Sequence, residues 1–220
     1  GYGSMALTLL ADGQSQGELL AAADLLGDRM NRTVDPANLF EVIAASKTEA
    51  DKPFDRPLIG AVGRTVSLQA GETAEFPFVL SWWFPYYGQV TGEMAAIAGI
   101  DSLKRHYAAR FDGASAVASY VSANYDRLAG QTREWNRTWY DSTLPYWFLD
   151  RTFTPVNCLA TQVLHAFDSG RYWGWEGVDC CPGTCQHVWQ YAQSAARVFP
   201  EIERDLRERV DFGLAWHDSG

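Results

Sequence analysis

The spacing of apolar residues changes once along this chain, and that change limits the folds that are open to it. Near the N-terminus, Met5, Leu7 and Leu9 alternate with smaller residues, which predicts a β-strand that ends at residues 11–13. From residue 114 onward, apolar residues recur at spacings of four and three, which predicts one long amphipathic helix. Its face comprises Val117, Val121, Tyr125, Leu128, Thr132, Trp135 and Trp139. The order predicts a β-rich part followed by an α-rich part.

A β-hairpin is predicted over residues 62–83. Apolar residues run into a turn at residues 69–72, and four large ones alternate on the return: Phe76, Phe78, Leu80 and Trp82. These four are expected on a buried face, with Pro77 at an edge or bulge because it has no backbone N–H. Residues 19–26 and 37–45 could each hold a short helix or a short strand.

Further helices are predicted in the C-terminal half. One runs over residues 144–167, where Pro155 should interrupt or kink it. Thr184 can cap the next, whose apolar side carries Val188, Ala192, Ala195 and Phe199. Pro200 then begins a helix with acidic residues in its first turn and arginines near its end, which suits the helix dipole.

Composition shifts near Asp112 and Gly113. All three lysines precede that point, whereas seven of the nine tryptophans and all four cysteines follow it. We therefore predict two domains, residues 1–112 and 113–220. The net charge of −9 is spread evenly, and without a basic patch nucleic-acid binding is not expected. No apolar run is long enough to predict a membrane-spanning helix. Compartment and oligomeric state stay open.

Residues 173–189, here called the Trp-rich segment, read W-G-W-E-G-V-D-C-C-P-G-T-C-Q-H-V-W. A glycine-containing loop with flat aromatic rings and a few polar groups is what a concave ligand site needs, and sugars suit such a surface. Trp175 is the candidate stacking platform, with Glu176 and His187 as candidate contacts to sugar hydroxyls. The alternative is a packing plug between two helices, in which Glu176 bonds to backbone and His187 is a core histidine.

The cysteines of the segment invite a metal-site interpretation. Cys180, Cys181 and Cys185 with His187 could be read as a zinc cluster, but structural zinc sites typically use two separated ligand pairs. Buried free thiols are the preferred interpretation, and no metal or cofactor is predicted. Of the other polar candidates, Asp141 and Asp179 are interpreted as cap or turn residues. The remaining histidines are interpreted as surface or interhelix residues: His106, His165 and His217.

Several long stretches of the chain resemble glycoside hydrolase family 116, which includes β-glucosidases and glucosylceramidases. They are W-N-R-T-W-Y-D-S-T-L-P-Y-W-F-L-D-R from Trp135, the Trp-rich segment with its continuation Q-Y-A-Q, and F-P-E-I-E-R-D-L-R from Phe199. The opening G-Y-G-S-M-A-L and the run V-S-L-Q-A-G-E-T-A-E-F-P-F-V-L-S-W-W-F-P are similar to the N-terminal region of that family. The resemblance is collinear over nearly the whole chain.

The resemblance implies a partial β-sandwich-type domain followed by the first helices of an (α/α)6 barrel. It also implies a retaining mechanism, which needs two carboxylates flanking the scissile bond. In the family this Glu and Asp pair lies C-terminal to the part represented here, so no catalytic residue is assigned in this chain. The implied substrate is a β-glucoside or a glucosylated lipid. The rival interpretation is a non-catalytic carbohydrate-binding or scaffolding module that uses the same tryptophans.

Overall fold

The computed structural model describes residues 3–10, 19–23, 39–45, 49–51, 53, 58–87, 103–161, 164–174 and 194–219. Its strands are β1 (Ser4–Leu9), β2 (Leu19–Ala22), β3 (Ala61–Arg64), β4 (Phe78–Trp83), β5 (Tyr86–Tyr87), β6 (Leu103–Lys104), β7 (Leu164–Ala166) and β8 (Tyr172–Gly174). Its α-helices are α1 (Leu39–Ala45), α2 (Ala114–Ala123), α3 (Tyr125–Tyr140), α4 (Tyr146–Phe153), α5 (Ser194–Val198) and α6 (Pro200–Asp205). The mixed α and β content is as predicted.

The strands pair two by two, and the predicted hairpin over residues 62–83 is wrong. Both of its strands form, but β3 pairs antiparallel with β2 and β4 pairs with β1. The turn at residues 69–72 is present, since the Glu72 N–H donates to the Gln69 carbonyl over 3.0 Å. A local turn therefore formed without dictating which strands pair, because the two earlier strands offered better partners.

The buried face of β4 is the opposite of the one predicted. Ser81 is buried, whereas Phe78, Leu80 and Trp82 are each more than half exposed. The Ser81 hydroxyl donates to the Ala114 carbonyl of α2 over 2.9 Å, and the Ala114 N–H donates to Ser4 Oγ in β1 over 2.9 Å. Helix α2 therefore packs against the small-residue face of this strand pair and leaves the large apolar residues outside.

A second small core forms around β2, β3 and α1. Leu20, Ala22 and Ile43 are buried together, and Leu39 and Ala61 pack against them. Of the alternatives left open by the sequence, residues 19–22 are a strand and residues 39–45 are a helix.

The predicted long helix from residue 114 is two helices. Asn124 ends α2 with φ −121° and ψ 14°, outside the helical range, and α3 begins at the next residue. The Asn124 side-chain amide donates to the Tyr120 carbonyl over 2.9 Å, which is how asparagine competes with the helical backbone. The spacing of four and three continues across the break, so periodicity alone did not reveal it.

The helix predicted over residues 144–167 is correct only in its first half. Helix α4 ends at Phe153, and a 3₁₀ segment, Thr154–Ala160, follows at the predicted proline. Residues 164–166 are instead strand β7, which pairs with β8. A run of three residues is too short for its spacing to distinguish a strand from a helix, and here pairing with β8 determined the strand.

Helix α6 begins at Pro200, as predicted, and continues as a π-helix, Leu206–Leu214. Arg207 pairs with Glu203 and Asp211, and Arg209 pairs with Asp205. These i,i+4 pairs align the arginines with acidic residues one turn away on the same side of the helix.

The chain forms two compact units that interleave along the sequence. One contains Ser4–Trp82 with Gly113–Asn124, and the other contains Gly1–Gly3, Trp83–Asp112 and Tyr125–Gly220. The domain boundary drawn from composition at residues 112–113 stays a prediction. Among the described residues, no helix has the length and apolar character needed to cross a bilayer.

Candidate functional site

The β7–β8 hairpin leads directly into the Trp-rich segment. Its register pairs Leu164 with Gly174, His165 with Trp173, and Ala166 with Tyr172. The connection turns at Gly170, whose φ of 80° favours glycine, and the Phe167 N–H donates to the Arg171 carbonyl over 2.9 Å. Strand β8 ends at Gly174, the last described residue before residue 194.

One face of the hairpin carries an aromatic cluster of Tyr87, His165, Phe167 and Trp173. His165 lies edge-on to Tyr87 with ring centroids 4.7 Å apart, and Trp173 lies edge-on to Phe167 at 5.1 Å. Phe167 is 1% exposed and Trp173 is 8% exposed. Edge-to-face pairs of this kind contribute roughly 0.5–1.5 kcal/mol each beyond the burial of their area.

Residues of β5 and β6 and their neighbours also contact the turn of the hairpin on the side of the aromatic cluster. The Arg105 N–H donates to the Pro85 carbonyl over 2.8 Å, and the Asp168 N–H donates to the Lys104 carbonyl over 3.0 Å. A bridge pairs Arg105 with Phe167, and the Arg105 guanidinium carbon lies 5.7 Å from the centre of the Tyr87 ring. Backbone and side-chain contacts thus converge on the hairpin.

The opposite face of the hairpin carries Tyr172, because neighbouring residues in a strand point to opposite sides. Burial raises the pKa of the Tyr172 phenol to about 12, with the nearby charge of Glu203 adding to the rise and the Ser194 side chain opposing it. Ser194 and Ala195, the first residues of α5, are fully buried. The phenol oxygen is buried without a well-formed hydrogen bond.

Glu203 lies in the same surroundings and is oriented by Arg207. Its Oε1 accepts from Arg207 Nε over 2.9 Å, while its Oε2 is buried without a hydrogen-bond partner. Arg207 also pairs with Asp211, and these two carboxylates help to keep its pKa above the ordinary value against the opposing effect of burial. One carboxylate oxygen is thus held by an ion pair, whereas the other is buried without a hydrogen-bond partner.

The candidate residues of the Trp-rich segment, Trp175, Glu176 and His187, lie outside the described residues. So do Asp179 and the three cysteines that could be read with His187 as a metal cluster. Cys158 is described: it is a free, half-buried thiol, and burial raises its pKa. Among the described residues there is no group of three or more metal-ligating side chains.

The histidines divide into two environments. His106 and His217 are exposed, as predicted. His165 is 8% exposed and packed in the aromatic cluster, so its interpretation as a surface or interhelix residue was wrong. The reason is the strand at residues 164–166, which puts this side chain on the face shared with Trp173. Asp141 is an exposed turn residue after α3, as interpreted from the sequence.

Sequence reasoning missed the two residue groups on either face of the hairpin. The sequence did carry a signal for this hairpin. In the first strand Leu164 and Ala166 flank His165, and in the second Tyr172 and Gly174 flank Trp173, with a glycine turn between the strands. Each run has only three residues, however, and a helical interpretation of the first run hid it.

Comparison with known proteins finds one family model that matches part of the chain. Residues 33–128 match the family model described as "beta-glucosidase 2, glycosyl-hydrolase family 116 N-term". The match includes α1, β3 to β6 and α2, and it ends within α3. No curated protein matches the chain at a significant level. The family match confirms the resemblance seen in the sequence.

Proposed function

From a chain whose residues 33–128 carry the N-terminal domain of glycoside hydrolase family 116, we propose that the protein is a retaining β-glucosidase similar to the glucosylceramidases. Its substrate would be a β-glucoside or a glucosylated lipid. The observation that supports this most directly is the family match. A glycosyl-enzyme intermediate then requires a nucleophile and an acid/base, which the resemblance assigns to a Glu and an Asp C-terminal to this chain.

The same resemblance supports a fold for the complete protein. Residues 1–112 would be the later part of a β-sandwich-type domain, and residues 113–220 the first helices of an (α/α)6 barrel. The exposed aromatic residues of α3 and α4 are compatible with helices that pack against further helices, since Trp135, Tyr140, Tyr146 and Trp147 are all more than a third exposed.

In this proposal the Trp-rich segment lies at the opening of the active site. Trp175 would stack against the sugar or the aglycone, and Glu176 and His187 would bond to hydroxyl groups. The buried hairpin supports this role indirectly: Trp173 anchors the strand that ends one residue before Trp175. A rigid base next to a recognition loop limits the entropy that is lost when ligand binds.

The rival is a carbohydrate-binding module without catalysis. It would bind glucosides through the same tryptophans, and the 220-residue polypeptide alone would show that binding. The encoding DNA separates the two directly: further helical repeats with a paired Glu and Asp support the enzyme. In either case the 220-residue polypeptide by itself should hydrolyse no aryl β-glucoside, because the resemblance assigns both carboxylates elsewhere.

Aglycone preference tests the site assignment in the full-length enzyme. Trp175→Ala and His187→Ala should change the ratio of kcat/KM between a small and a large aglycone by about fivefold or more, roughly 1 kcal/mol of differential transition-state binding. Cys185→Ser should mainly affect folding. Trp135→Ala, in helix α3, is the matched tryptophan control.

Equal kcat/KM ratios in Trp175→Ala and in the wild type, together with a large fall in melting temperature, would make the segment a packing plug. Turnover by the 220-residue polypeptide above the background of a matched inactive preparation would place the catalytic pair within this chain. Either result would overturn the corresponding part of the proposal.

A further inference from the structure

The β5–β6 strand pair joins the β7–β8 hairpin at Arg105. Tyr86 pairs with Lys104 in the first strand pair, and at the next residue Arg105 forms an antiparallel bridge with Phe167. The Asp168 N–H also donates to the Lys104 carbonyl over 3.0 Å. These contacts use backbone atoms, which almost every residue type provides. They join the two strand pairs but do not explain why the residue at this junction is an arginine.

The Arg105 side chain makes two contacts with the strand β5 and the residue before it that explain the arginine. Its Nη1 donates to the Phe84 carbonyl over 3.1 Å, and its guanidinium carbon lies 5.7 Å from the centre of the Tyr87 ring. The Tyr107 hydroxyl binds the same backbone, since it accepts from the Phe84 N–H over 2.7 Å and donates to the Phe84 carbonyl over 3.2 Å. A planar guanidinium can bond to an acceptor at its edge while its face lies over an aromatic ring.

Tyr87 carries this contact on to the hairpin. Its ring lies edge-on to His165 with centroids 4.7 Å apart and edge-on to Phe167 at 6.3 Å. His165 is 8% exposed and Phe167 is 1% exposed, so the Tyr87 ring packs on side chains that are shielded from water. Arg105 therefore reaches the hairpin by two routes, through its own backbone at Phe167 and through the ring that it orients.

The two sides of this contact belong to different parts of the chain. Tyr87 and Arg105 lie within the matched residues 33–128, whereas β7 and β8 lie beyond them. The segments Trp83–Asp112 and Tyr125–Gly220 nevertheless belong to one compact unit. A side chain at their junction can therefore couple the end of the matched region to the hairpin.

We propose that Arg105 is a positioning residue that holds Tyr87 against His165 and Phe167 and so couples the matched N-terminal region to the β7–β8 hairpin. Its relevance to catalysis rests on the proposed function, in which the hairpin belongs to the catalytic domain. Arg105 is not a catalytic residue, because it acts through Tyr87 and the hairpin.

Hydrogen exchange of the full-length protein tests this coupling without a substrate. Arg105→Met keeps the length of the side chain but removes its charge and its donors, and Arg105→Lys keeps a cation and a donor. Arg110→Met changes an exposed arginine nearby and is the matched control. Backbone amides of residues 164–174 should exchange at least about threefold faster in Arg105→Met than in the wild type, with Arg105→Lys intermediate. Rates within about 1.5-fold of the wild type, or an equal rise in Arg110→Met, would overturn the proposal.

A second substitution tests whether the effect passes through Tyr87. In a Tyr87→Leu background, Arg105→Met should accelerate the exchange of residues 164–174 by less than about 1.5-fold, because the ring through which Arg105 acts is absent. The same acceleration in both backgrounds would overturn the route through Tyr87.

Activity of the full-length enzyme tests the role in catalysis. The kcat/KM for a β-glucoside, measured well below the melting temperature of each variant, should fall at least about threefold in Arg105→Met and be partly restored in Arg105→Lys. Arg110→Met should keep the wild-type value. Faster exchange with an unchanged kcat/KM in Arg105→Met would overturn the positioning role and leave a structural one. If the wild type hydrolyses no β-glucoside, the proposed function fails, while the exchange rates still decide whether Arg105 couples the two regions.

Discussion

The β7–β8 hairpin and the β1–β4 pair both contain two strands, yet their faces are covered differently. The hairpin has the aromatic cluster on one face and Tyr172 beside Ser194 on the other. The β1–β4 pair has α2 on its small-residue face, while Met5, Leu7, Phe78, Leu80 and Trp82 remain exposed. A two-stranded sheet is marginal by itself, so its stability depends on what packs against it.

This difference shows that hydrophobicity does not determine burial in this chain. Trp82 is 53% exposed and Trp173 is 8% exposed, although both lie in short strands rich in apolar residues. The neighbouring elements determine which side chains are buried. Helix α2 packs on the strand face that carries Ser81, and Tyr87 of β5 packs on the hairpin face that carries Trp173. Substitutions in the two regions should therefore have unequal effects, which can be measured.

The largest contrast should come from removing the two tryptophans. Trp173→Ala should lower the free energy of unfolding by about 3–5 kcal/mol, because it leaves a cavity between Phe167 and β7. Trp82→Ala should lower it by no more than about 1 kcal/mol. Urea unfolding of both full-length variants checks this. Similar losses at the two positions would mean that the exposed face of β4 is covered in the complete protein.

A smaller effect should appear at alkaline pH. The folded pKa of Tyr172 is about 12, above the ordinary value of 10. Below pH 10 both states keep the proton, but between pH 10 and 12 only the folded state does, so stability falls as the pH rises through this window. The loss should be about 2 kcal/mol, less than two full pKa units because the phenol is partly exposed.

Tyr172→Phe isolates that contribution from the other tyrosines. The unfolding free energy of the wild type should fall relative to that of Tyr172→Phe between pH 10 and 12, while Tyr140→Phe should follow the wild type throughout. A constant difference between wild type and Tyr172→Phe would show that the phenol is not desolvated in solution.

Ser81→Ala tests the covered face of β1–β4. The buried hydroxyl donates to the Ala114 carbonyl of α2 over 2.9 Å, and its removal deletes that hydrogen bond. Stability should fall by about 1–2 kcal/mol in chemical unfolding. Ser119→Ala, on the exposed side of α2, should change it little. No loss in Ser81→Ala would mean that this hydrogen bond does not help to hold α2 against the strand pair.

The smallest effect on stability is expected on the exposed face. Leu80→Thr should change the free energy of unfolding by less than about 0.5 kcal/mol and should raise solubility, because it interrupts an exposed apolar patch. Leu164→Thr, the same substitution at a buried hairpin position, is the control and should be clearly destabilising. A loss at Leu80 as large as that at Leu164 would remove the distinction between the two strand pairs.

The sequence by itself determined the types of several elements and indicated the family. Alternation predicted β1 and β4, spacing of three and four predicted helix from residue 114, and Pro155 and Pro200 correctly marked an end and a beginning. These are local properties: side-chain direction repeats with period 2 or 3.6, and proline fixes φ and lacks a donor. The family resemblance emerged from long collinear stretches, of which the run that begins V-S-L-Q lies within the matched residues 33–128.

Tertiary structure alone decided the pairing, the faces and the break between helices. The turn at residues 69–72 formed, yet β3 and β4 paired with strands 39 or more residues earlier in the chain, because pairing energy comes from the partner and not from the turn. The change in composition at residues 112–113 predicted a domain boundary at that point. In the structure, hydrogen bonds across that point link the start of α2 to Ser81 of β4 and to Ser4 of β1.

The same reason explains the candidate site. Trp175, Glu176 and His187 could be proposed from residue type, but the groups on either face of the hairpin could not. His165 contacts Tyr87, and the Ser194 side chain lies beside Tyr172, only when segments that are separated in the sequence pack together. Local periodicity carries no information about these contacts. Burial and hydrogen bonding between residues that are distant in sequence depend on which elements pack against each other, and only the folded chain determines that packing.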